Sequence, residues 1–150
     1  FWVKKAKLGK NFMGSKIEEV CVSRGMRMTE QRKIIAQVLS DSTDHPDVEL
    51  VYKRANEIDS RISIATVYRT VRLFEEANLI ERHQFGDGRA RYEEVSEEHH
   101  DHLIDVKSGK VIEFQSDEIE ELQEQIAKKM GMKIVDHRLE LYCVPLNSEK

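Results

Sequence analysis

Apolar positions recur every three or four residues through the first half of the chain, and residues that start or stop helices separate the runs. Residues 15–23 form one helical stretch, closed by Arg24-Gly25 with the glycine in a C-cap role. Thr29 is placed to cap the next helix, with Glu30 in its first turn and Ile34, Ile35, Val38 and Leu39 as its apolar stripe. His45-Pro46-Asp47 breaks the pattern. Asp47 then caps a third helix, with Val48, Val51, Tyr52, Ala55 and Ile58 at helical spacing. Ser63 opens a fourth over residues 64–78. There Val67, Val71 and Phe74 face the core, while Thr66, Arg69 and Arg72 sit elsewhere on the helix.

The period then changes. Residues 79–85 and 89–93 are extended runs flanking Gly86-Asp87-Gly88, a hairpin signal. Three helices, a further helix with exposed arginines and a basic hairpin predict a winged helix-turn-helix. In that design the last helix lies in the major groove and the others position it on the phosphates. Arg89 and Arg91 on the hairpin suit a phosphate or minor-groove contact. Further on, residues 102–106 and 110–115 read as strands around a Lys107-Ser108-Gly109 turn. Ser116 or Asp117 caps a helix striped by Ile119, Leu122, Ile126 and Met130, and Gly131 ends it. Residues 133–144 complete the pattern as a third strand, with Ile134, Leu139, Leu141 and Tyr142 as its apolar content. The fold expected is α+β: a winged-helix domain over 1–94 and a small α/β dimerisation domain over 95–150, with the boundary at residues 94–98. A unit of about 50 residues buries little core alone, so homodimerisation through a strand edge and the helix stripe is expected.

A hydrophobic content of 39% supports a packed core. No apolar run approaches the roughly 20 residues a bilayer span needs. The first residues lack a signal-peptide pattern, and Cys21 and Cys143 are far apart, so a reducing cytoplasmic setting is expected rather than a disulfide framework or a membrane. Charge is uneven. Residues 1–92 carry a net +4 and residues 93–150 a net −8, within a total of −4. A basic half suits a polyanion and an acidic half suits cations.

The densest chemistry is His99-His100-Asp101-His102, which holds three of the six histidines. Imidazole and carboxylate suit borderline divalent metals. At the head of a strand, side chains alternate between faces, so His100 and His102 point one way and His99 and Asp101 the other. One tetrapeptide could feed two metal sites.

Thr66-Val67-Tyr68-Arg69-Thr70-Val71 after Ile62-Ser63-Ile64-Ala65, the histidine cluster with Leu103-Ile104, and Ser108-Gly109-Lys110-Val111-Ile112-Glu113-Phe114 together resemble the ferric uptake regulator family. The resemblance runs from about Gly25 to about Tyr142. Residues 1–14 lie outside it and read either as an extension of the first domain or as a segment foreign to the native chain. The resemblance implies a dimeric, metal-dependent repressor that binds operator double-stranded DNA when loaded. It implies a regulatory site of His45, Glu93, His100, His102 and Glu113, and a second site of His99, Asp101, Glu120 and His137. It places Tyr68 and Arg69 in the major groove, Thr66 near phosphate and Arg27 at the minor groove. Arginine on guanine is the commonest specific base contact, and Tyr68 can meet a thymine methyl. Donors without a thiolate favour Fe(II) or Mn(II) over a closed zinc site, though Zn(II) can substitute. Where many members carry the first cysteine pair of a structural zinc, this chain has Asp105 and Ser108, and no second pair follows Cys143. A structural zinc held by four cysteines is therefore not expected.

Two other classes compete. A metallohydrolase fails on motif spacing, and no small-molecule substrate is expected. A non-regulatory metal carrier leaves the arginine-bearing helix and hairpin unexplained. Within the family, a zinc or peroxide sensor is the nearer alternative. Peroxide sensors favour Asp where this chain has Glu93 and Glu113, which tilts the reading toward metal sensing.

Overall fold

The computed structural model describes residues 14–96 and 98–148; most of the segment 1–14 lies outside them. The chain divides into two compact units, one up to Val95 and one from Ser96 onward.

The first unit runs α1 (Lys16–Ser23), α2 (Glu30–Asp41), α3 (Val48–Ile58), α4 (Ile64–Glu76), β1 (Ile80–Gln84) and β2 (Ala90–Glu94). Each helix starts at a side chain that accepts a bond from an otherwise orphaned backbone N–H. Ser15 takes Glu18 N, Thr29 takes Arg32 N, Asp47 takes Leu50 N and Ser63 takes Thr66 N. The helices share one core containing Ile17, Cys21, Ile35, Leu39, Val51, Ala55, Val67, Val71 and Phe74, extended by Ile80 and Tyr92 from the hairpin. Two expectations shift. The fourth helix ends at Glu76 because Ala77 caps it and Asn78 turns left-handed at φ 59°. Ile58 is 62% exposed rather than part of the α3 stripe, since it lies in the final turn beside the Asp59 cap.

β1 and β2 pair antiparallel with Glu81 opposite Glu93 and His83 opposite Arg91. Tyr92 N donates to Pro46 O, and the Arg91 guanidinium donates to the carbonyls of His45 and Asp44. These bonds fasten the α2–α3 loop to β2. They hold His45 at φ 54°, a backbone region non-glycine residues rarely adopt.

The second unit runs β3 (Asp101–Asp105), β4 (Val111–Phe114), α5 (Asp117–Lys129) and β5 (Glu140–Cys143). Its sheet order is β4-β3-β5, with β3–β4 antiparallel and β3–β5 parallel. The parallel pairing requires a crossover, and α5 supplies it. Ser116 caps α5 through Ile119 N. The expected strand over 133–144 is shorter than its apolar content suggested. Ladder pairing with β3 covers residues 140–143, and Val135 is 97% exposed. No residue of α5 is buried in the single chain, and Leu122, Ile126 and Met130 are 56%, 47% and 74% exposed.

Candidate metal centre and nucleic-acid interface

In the first unit, the fastened α2–α3 loop points the His45 ring at the hairpin. His45 is 1% exposed, and its ring lies 6.1 Å from both the His83 and Phe85 rings. Its Nε2 stands 2.8 Å from Glu93 Oε2, and Glu93 is itself buried. The other oxygen, Oε1, lies 2.7 Å from His83 Nε2. Burying a carboxylate costs several kcal/mol unless it is paired, and the two imidazoles converging on Glu93 can pair it as N–H donors or share a cation with it. His83 was not among the residues singled out by sequence. A signal lay in the hairpin register, since Glu81 and His83 share a face of β1, with Glu81 directly opposite Glu93 and His83 diagonal to it.

In the second unit, β3 sorts its donors by alternation. On one face, the His100 and His102 rings lie 5.1 Å apart, His102 is directly opposite Glu113, and His100 Nε2 is 3.3 Å from Glu113 Oε1. On the other, His99 Nε2 lies 2.9 Å from Asp101 Oδ1 and 3.0 Å from His137 Nε2, while His137 Nε2 is 3.3 Å from the same Asp101 oxygen. Glu120 on α5 brings a carboxylate oxygen within 4.8 Å of both histidines. Asp101 is 1% exposed, and its Oδ2 is buried with no hydrogen-bond partner among the described residues. Two imidazole nitrogens facing each other beside an orphaned carboxylate oxygen suit a divalent cation: N and O donors, hard to borderline, no thiolate.

Asp105 and Ser108 satisfy each other. The Ser108 hydroxyl donates to Asp105 Oδ2 at 2.8 Å, and this bond holds the Asp105 carboxyl below its ordinary range. The pair closes the β3–β4 turn. Cys21 is buried in α1, where burial pushes its thiol up, and Cys143 lies in β5.

The outer face of α4 presents its polar side chains to solvent. Tyr68 is 53% exposed and Arg69 is exposed, while Val67, Thr70, Val71 and Phe74 turn inward. The Ser63 and Thr66 hydroxyls are 3.0 Å apart, and Arg69 Nη2 donates to Thr66 Oγ1 at 3.3 Å. Arg27 is exposed, and its carbonyl accepts from Arg32. Arg89 is exposed but already engaged, donating to Asp47 at 2.9 Å and to Asp87 at 3.2 Å. Arg91 corrects the sequence expectation. It is 7% exposed and anchors the His45 loop, so it is not a free phosphate contact.

A winged-helix unit with an outward Tyr-Arg helix, joined to a unit rich in nitrogen and oxygen donors, defines a metal-responsive transcription regulator. Comparison with known proteins supports the class. The pattern of the Ferric uptake regulator family matches residues 23–142, and the chain belongs to that family. It is 65% identical over 133 residues to the Ferric uptake regulation protein of Rhizobium leguminosarum bv. viciae, covering 89% of this chain and 94% of that one. The protein of the same name from Brucella suis biovar 1 is 52% identical over 124 residues, covering 83% and 88%. Among solved structures, a zinc-bound manganese uptake regulator matches with a TM-score of 0.80 at 64% identity, over 88% of this chain and all of that one. The Helicobacter pylori ferric uptake regulator Fur, whose structure reveals three functional metal binding sites, matches with a TM-score of 0.78 at 30% identity, over 90% and 92%. Members of this family are transcription regulators, not enzymes. No helix among the described residues is long and apolar enough to cross a membrane.

Proposed function

We propose that the chain is a homodimeric repressor of metal-uptake genes that binds operator DNA in the cytoplasm once loaded with Fe(II) or Mn(II). His45 and Glu93 of the first unit form one regulatory set with His100, His102 and Glu113 of the second. His99, Asp101, Glu120 and His137 form a separate set. The observation that carries this reading is the buried His45–Glu93 pair in the winged-helix unit, at 2.8 Å. Two donors are too few for a six-coordinate ion; the His100, His102 and Glu113 trio brings the set to five residues without a thiolate, and a second carboxylate oxygen or a water completes it. A cation held by both sets cross-links the units and so restrains the recognition helices of a dimer. The curated relative at 65% identity is named for iron and the solved one at 64% for manganese; both ions accept these donors, and Zn(II) can substitute. With Asp105 and Ser108 bonded to each other, a zinc held by four cysteines has no part in the scheme.

The test is to load the metal-free protein in parallel with Fe(II), Mn(II) and Zn(II), then measure bound metal and affinity for promoter DNA of metal-uptake genes. The expected result is tight, salt-dependent binding with Fe(II) or Mn(II) and weak binding after chelation. Equal affinity in chelated and loaded protein would sink the proposal.

A further inference from the structure

We propose a third divalent-cation site, contained wholly within the winged-helix unit and built from Glu81, His83 and Glu93. The register of the hairpin makes it. Glu81 and His83 lie two residues apart on one face of β1, and Glu93 is the direct partner of Glu81 on β2. His83 Nε2 is 2.7 Å from Glu93 Oε1 and 3.6 Å from Glu81 Oε2, and one ligand atom from each residue falls within a 4.8 Å cluster. Donors held about 2.1 Å from a common ion stand roughly 3–4 Å from one another; the Glu81 separation falls inside that range and the Glu93 separation just below it. The imidazole is set in advance: it stacks on Phe85 with centroids 5.2 Å apart and planes 14° apart, so packing aims its Nε2 at both carboxylates. His83 and Glu93 are buried, while the Glu81 side chain is 54% exposed. The site therefore opens to solvent on the Glu81 side, where water completes the coordination. Two carboxylates and one imidazole suit Mn(II), Fe(II) or Zn(II).

Glu93 gives one oxygen to this site and the other to His45. With both ions bound, it is a bridging carboxylate. The bridging role rests on the regulatory reading above; the Glu81, His83, Glu93 triad does not.

The experiment uses the full-length protein and Mn(II) alone, followed by equilibrium dialysis and by electron paramagnetic resonance of the bound ion. The unsubstituted chain is expected to take up one more Mn(II) per chain than Glu81→Gln, whose exposed position spares the fold. Its fully loaded spectrum is expected to be broadened by exchange across Glu93, and that broadening is lost in Glu81→Gln. His83→Gln is expected to weaken the same class about tenfold or more. In His100→Ala the Glu81-dependent ion is expected to persist, with the broadening gone. Equal uptake by the unsubstituted chain and Glu81→Gln would overturn the site. So would a His83→Gln effect with a silent Glu81→Gln, which would leave His83 only orienting Glu93. A Glu81-dependent ion in a chain whose DNA binding ignores metal would support this site while refuting the regulatory reading.

Discussion

His100 and His99 are neighbours in sequence with opposite assignments. His100 lies beside Glu113, and His99 beside Asp101 and His137. His100→Ala is expected to abolish the metal response of operator binding while leaving thermal stability nearly unchanged. His99→Ala should disturb it less, because its partners all belong to one unit. Titrating each variant with Mn(II) in a DNA-binding assay checks this. Arg69→Ala is expected to cost about 1–3 kcal/mol at one operator base pair and relax preference there. Arg89→Ala should weaken all sequences alike and lower the salt slope by about one. Its pairing with Asp47 and Asp87 means that binding a phosphate first requires exchange of those partners, which tempers the gain. Asp44 offers a pH test. The Arg54 guanidinium donates to its carboxylate and holds the carboxyl below the ordinary carboxylate range. A depressed folded value contributes stability that is complete above the unfolded value and lost as pH falls through the folded one. Asp44→Asn should therefore cost at most about 1 kcal/mol near neutral pH, because the pair is half exposed and screened. The melting difference from the parent should close as the pH drops below about 4.

The elements were legible where a local signal sufficed. Thr29, Asp47, Ser63 and Ser116 cap helices as read, because a side-chain oxygen ahead of an apolar period is a local event, while Ser15 proves to be the cap of α1 rather than its first residue. The hairpin followed from Gly86-Asp87-Gly88. What escaped needed partners distant in sequence. The last strand stops at four residues because ladder bonds, not apolar content, define it. Arg91 looks like any basic wing residue until the loop 46 residues earlier folds against it. His83 reads as an ordinary strand histidine until the hairpin register sets it diagonal to Glu93. The α5 stripe is a different case. Its period was visible, and its exposure in the single chain leaves Leu122 and Ile126 at 56% and 47%. In the proposed dimer these side chains are covered. Cutting both to Ala should shift the chain toward monomer in sedimentation, at about 2–5 kcal/mol for each side chain fully buried there. An unchanged dimer would remove α5 from the interface.

At the scale of the whole molecule, metal and fold are expected to separate. Among the described residues, the core of the first unit holds 16 buried side chains, none of them from the proposed metal sets. Exhaustive EDTA should strip DNA binding and leave a folded dimer, unlike small domains in which metal-binding energy is folding energy. A monomeric or unfolded product in sedimentation would instead assign a structural role to the His99, Asp101, Glu120, His137 set. The alternation along β3 has a consequence for how such a chain can change. Consecutive letters of one tetrapeptide write two inventories of donors. Point substitutions can edit either inventory alone, but sliding the strand by one residue would trade each set for the other. Drift in this segment is therefore confined to replacements, and length changes are pushed out to the loops on either side.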